Sequence, residues 1–70
     1  MTTERQKLLR LLADLSEQAP DMRLGQLVAN IATLALGAKV QAIWDAEDQE
    51  LAVAAHRLLD HYQRRNASVA

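Results

Sequence analysis

No cysteine occurs anywhere in the chain, which excludes disulfides, thiolate chemistry and cysteine-bound metal together. Phenylalanine is also missing, and the aromatic content is one Trp and one Tyr. A core without large rings must be built from Leu, Ile, Val and Ala, a composition that favours helix. A single proline and two glycines leave few places for sharp turns, so the elements between them should be long. Neither sign of charge is in excess: eight basic and nine acidic residues give no electrostatic reason to expect nucleic acid or an anionic membrane surface as partner. No apolar run approaches the roughly 20 residues that cross a bilayer. The polar start MTTERQK lacks the form of a secretion signal, and the expectation is a cytoplasmic protein.

What is present points to one all-α domain. Seventy residues allow a single domain, and a chain this short buries only about 60% of its unfolded surface. Thr3 and Gln6 have the spacing of a capping box. Leu8, Leu11, Leu12, Leu15 and Ala19 then recur at helical spacing, which predicts a first helix over about residues 4–18. Pro20 closes that helix, and Asp21 is placed to cap a second over about 22–36, with Gly37 as its stop. Leu24, Leu27, Val28, Ile31, Leu34 and Ala35 form one apolar arc of this second helix. Gly25, Ala29 and Ala32, joined by Leu36, form another arc of small residues that would let a neighbouring backbone approach closely. So little polar surface predicts that helix two is the central helix of a small three-helix bundle. A third helix is expected over about 46–65, opened by Asp45 with Glu47 and Asp48 in its first turn, where the helix dipole favours acid. Its apolar face is Leu51, Ala54, Ala55, Leu58, Leu59 and Tyr62, and residues 66–70 should fray. Between Gly37 and Trp44 the residues are not loop-like, and Ile43 and Trp44 are expected to be tucked under the bundle.

The chemistry-bearing groups are few. His56 and Asp60 share a helix face, but His61 lies about 140° round from His56, so two ligands fall short of a zinc site. Ser16 and Ser68 have no positioned base, and Glu47 with Asp48 has a sufficient structural cause at a helix start, where the dipole favours acidic residues. No enzyme, cofactor or metal is expected. A DNA-binding helix would have to present Asp45, Glu47, Asp48 and Glu50 to phosphates, which opposes binding. The rival reading of a DNA-associated regulator is therefore the weaker one.

Two groups remain as candidate partner-binding residues. Arg23, Gln26 and Asn30 make a polar strip on helix two, either tying it to the acidic turn through an Arg23 ion pair or facing a partner. Trp44 with Asp45, Glu47 and Asp48 makes a large apolar ring beside an acidic run. Leu9, Leu36 and Val53 lie outside the main stripes, which makes self-association the natural second expectation. The segments PDMRLGQLVANIA and IWDAEDQEL together resemble a pattern of small uncharacterised helical proteins of bacteria. Its landmarks fall on Pro20, Asp21, Arg23, Leu24, Gly25, Gln26, Leu27, Asn30, Trp44, Glu47, Asp48 and Leu51. The resemblance implies a compact helical fold and carries no activity with it. The functional expectation is a small non-enzymatic interaction or adaptor module that binds another protein or itself, with a phage or mobile-element inhibitor as a variant of the same idea.

Overall fold

Three of the helix starts use the same local device, a side-chain carbonyl three residues into the helix that reaches back to the first free amide. A computed structural model describes residues 3–69, with side chains over residues 3–67. Helix α1 spans Glu4–Gln18, α2 Leu24–Leu36, α3 Ala42–Asp45 and α4 Asp48–Val69, with no strand among the described residues. At α1 the box is complete: the Gln6 N–H donates to Thr3 Oγ1 at 3.1 Å, and the Thr3 N–H donates to Gln6 Oε1 at 3.0 Å. At α2 the cap is Arg23 rather than Asp21. Arg23 offers no side-chain acceptor, so only the return half forms, its N–H donating to Gln26 Oε1 at 2.9 Å. At α4 the Glu47 N–H donates likewise to Glu50 Oε1 at 2.8 Å. Helix α2 therefore begins two residues later than its sequence suggests. Residues 19–22 form the turn instead, closed by a Met22 N–H to Ala19 carbonyl bond of 3.1 Å. At the far end of α2 Gly37 takes φ +92°, a left-handed value that a Cβ disfavours.

The chain runs up, down and up. Arg5 meets Asp48 and Gln18 meets Asn66, so α1 and α4 are parallel. The Tyr62 hydroxyl donates to Met22 Sδ at 3.3 Å, which sets the start of α2 beside the late part of α4 and makes those two antiparallel. The central helix is α4, not α2. It packs extensively on α1 and substantially on α2, whereas α1 and α2 barely touch each other. The physical reason lies in side-chain size: Ala52, Ala54 and Ala55 are all buried on α4, and small residues spread over a wide arc let a helix approach from either side. The expected role of the small arc on α2 is met only at Ala32, 1% exposed where α3 packs on α2, whereas Gly25 has nothing within 4 Å of where a Cβ would stand and Ala29 is exposed.

The core is Leu8 and Leu15 from α1, Leu27 and Ile31 from α2, and Ala52, Ala54, Ala55 and Leu59 from α4. Leu11, Leu12, Met22, Leu51, Leu58 and Tyr62 pack around it. Helix α4 continues to Val69, past the residue 66 at which its sequence suggests fraying, because Asn66 is anchored: its Nδ2 donates to Gln18 Oε1 at 2.6 Å. Ala70, the last residue of that expected tail, lies outside the described residues. Among the described residues no helix is long and apolar enough to cross a membrane.

Candidate functional site

The segment before α4 is where the structure departs most from what the sequence suggests. Gly37 releases the chain from α2, Lys39 and Gln41 carbonyls accept from Ala42, Trp44 and Asp45, and a single turn of helix, α3, results. Ala42 is its inward residue, 2% exposed, and the turn lies against α2, where Ala32 is the buried small residue outside the main core. Ile43 and Trp44 are the large apolar residues of this turn, and Val40 lies two residues before it. With Ala42 taking the inward position, none of the three is seated in the core. Trp44 is 83% exposed, Val40 91% and Ile43 52%. The expectation that Ile43 and Trp44 plug the underside of the bundle is therefore overturned. A one-turn helix anchored by an alanine has no depth in which to bury an indole.

Around the indole the structure brings together Asp45, Glu47 and Asp48 with Glu4 and Arg5 of α1, lining an open hollow of about 550 Å³. Asp45 closes α3 rather than opening α4, and Asp48 is the first residue of α4. The partner of Asp48 is Arg5, with Nε 3.4 Å from Oδ2, both side chains well exposed. An exposed pair of this kind contributes less than about 1 kcal/mol, so it orients charge rather than holding the fold.

Arg23, Gln26 and Asn30 are not part of this hollow. Tyr62 marks where the start of α2 lies, and 14 helical residues separate it from Asp48, about 21 Å along α4. That distance excludes the expected ion pair from Arg23 to Asp45, Glu47 or Asp48. All three residues of the strip are exposed, and Gln26 has a sufficient structural role as the cap of α2. Two consequences are measurable. Arg23→Ala should leave the stability within about 0.5 kcal/mol of wild type, as expected for an exposed position. Gln26→Ala should cost about 0.5–1 kcal/mol through loss of its bond to the Arg23 amide. A larger loss for Arg23→Ala than for Gln26→Ala would show that the guanidinium, not the cap, matters.

Val40, 91% exposed, is an apolar residue near the site that the sequence expectation omits, although VQAIW carries the signal: three large apolar residues around one small one, Ala42. Asp60 accepts an ion pair from Arg64 one turn on, His56 is exposed, and among the described residues no group of three or more His, Cys, Asp or Glu could hold a metal ion. His61 stacks edge-on against Tyr62, ring centres 5.8 Å apart. No family model, curated protein or solved structure matches this chain.

Proposed function

We propose that this chain is a small non-enzymatic protein-interaction module of the cytoplasm, and that it grips its partner through the outward face of α3. The observation that carries the reading is Trp44, 83% exposed on a backbone held by hydrogen bonds from Lys39 through Ala46, with Val40 and Ile43 beside it. Three large exposed apolar side chains within five residues, Ile43 and Trp44 on the turn and Val40 just before it, support an interaction surface. Tryptophan is the residue most enriched where binding energy concentrates, because one ring covers a large area at little entropic cost. The acidic side chains Asp45 and Glu47 border the patch and would select a partner with a basic rim, raising association rate more than affinity. The polar strip on α2 is not needed for this reading.

The test is Trp44→Ala. Folding should be nearly unaffected, since almost nothing of the indole is buried. Partner binding should weaken about thirtyfold or more, the range for truncating an anchoring aromatic. A photo-crosslinker placed at Val40 should capture a protein with the wild-type chain and lose it with Trp44→Ala. Equal capture by both chains would remove α3 as the contact.

A further inference from the structure

Granted that α3 is the contact surface, the hollow beside Trp44 defines the kind of side chain a partner brings to it. Its lining holds four carboxylates, those of Glu4, Asp45, Glu47 and Asp48, against the single guanidinium of Arg5, a formal charge of −3. Two of the four are already answered within the chain. Asp48 pairs with Arg5 at 3.4 Å, and Glu4 pairs with Lys7 at 3.7 Å one turn along α1. Asp45 and Glu47 pair with no cation among the described residues. They stand one and three residues after Trp44, whose indole is 83% exposed and lines the same hollow. The ring favours a cation independently of the acids, because the face of its π system is electron-rich.

The chemistry narrows which cation fits. No group of three or more His, Cys, Asp or Glu among the described residues could hold a metal ion, so the charge is not met that way. A lysine ammonium is a compact point charge that holds its water strongly. A guanidinium is flat and weakly hydrated, so it can lie on a ring while its edge forks two N–H donors towards a carboxylate. We infer that the hollow receives an arginine side chain of a partner protein, stacked on the Trp44 indole and paired with the carboxylates of Asp45 and Glu47. At about 550 Å³ and open to solvent, it admits a long side chain from a partner seated on α3. Arg5, held at Asp48, leaves Asp45 and Glu47 to the incoming charge. Val40 and Ile43, both exposed, are left to meet apolar neighbours of that arginine.

Because the chain has one tryptophan, its fluorescence reports this ring alone. Titration with acetylated hexa-arginine amide should change that signal saturably, and hexa-lysine should bind at least about tenfold more weakly. Asp45→Asn with Glu47→Gln should weaken the hexa-arginine complex at least about tenfold, with the melting midpoint unchanged because both residues are exposed. The control is Asp14→Asn with Glu17→Gln, which removes the same charge from exposed positions of α1. Asp14 lies about 13 Å beyond Arg5 along α1, more than a Debye length at physiological salt, so affinity should change less than about threefold. Equal binding of the two peptides, or equal loss in the two double variants, would show only diffuse attraction and overturns the inference. Crosslinking from Val40 separates it from the reading it rests on. Capture that Trp44→Ala abolishes but Asp45→Asn with Glu47→Gln leaves intact removes the arginine and keeps the α3 surface.

Discussion

Leu15→Ala is expected to lower stability by about 3 kcal/mol, within the 2–5 kcal/mol that a buried leucine truncation costs. Leu15 is 0% exposed and sits in the cluster where α1, α2 and α4 meet, so the space left has no side chain positioned to fill it. A 70-residue domain has roughly 4–10 kcal/mol in total, so this one change removes a large share of it. At about 4–8 °C per kcal/mol for a chain this size, the melting midpoint should fall by at least about 12 °C. Circular dichroism at one fixed protein concentration measures it. A drop of only a few degrees would mean that α1 is not packed as described.

Ala55→Leu should be nearly as damaging, by the opposite mechanism. Ala55 is 0% exposed on the face of α4 that meets both other long helices, and three added carbons there must push one of them away. Overpacking of this sort costs about 1–3 kcal/mol, and leucine has nearly the helix propensity of alanine, so the effect isolates packing. The matched control is Ala29→Leu on the exposed small arc of α2. If α4 is central, the first variant is destabilised and the second is near neutral. If α2 were the buried middle of the bundle, the order would reverse. Thermal melts of the two proteins side by side therefore test the arrangement of the helices directly.

The contrast between Ala55 and Ala29 also marks how far the amino-acid pattern alone carries. Helix α1 is legible to the residue, because Thr3 and Gln6 cap it and Pro20 stops it, all by local chemistry. The start of α2 is displaced from residue 22 to Leu24, since Asp21 and Arg23 both have a claim to the cap and only the fitted turn decides. Helix α2 looks central because it is the most apolar segment. Apolarity, however, measures what a helix could bury, and Leu24 and Leu34 remain 60% and 46% exposed. Alanines at Ala52, Ala54 and Ala55 carry the better signal, an arc wide enough for two partners, but small residues score low on any hydrophobic count. At the candidate site, composition alone picks out Trp44 and its acidic neighbours, but not the side of the fold they occupy. Their separation from Arg23, Gln26 and Asn30 is invisible in the sequence, because distance along α4 appears only once α2 is laid antiparallel to it.

By itself, the sequence determined what acts within a turn or two of helix: an all-α chain, three long helices, the cap of the first, and the stripes of Leu and Ala that must meet. Periodicity, capping and the lone proline act over a few residues and need no partner to be read. Which helix is central, how far Arg23 lies from the acidic turn, and that Trp44 faces solvent were decided only by tertiary structure. Each of these depends on how side chains far apart in sequence compete for the same space, and the outcome is set by their relative sizes at the contact, not by the character of either helix alone.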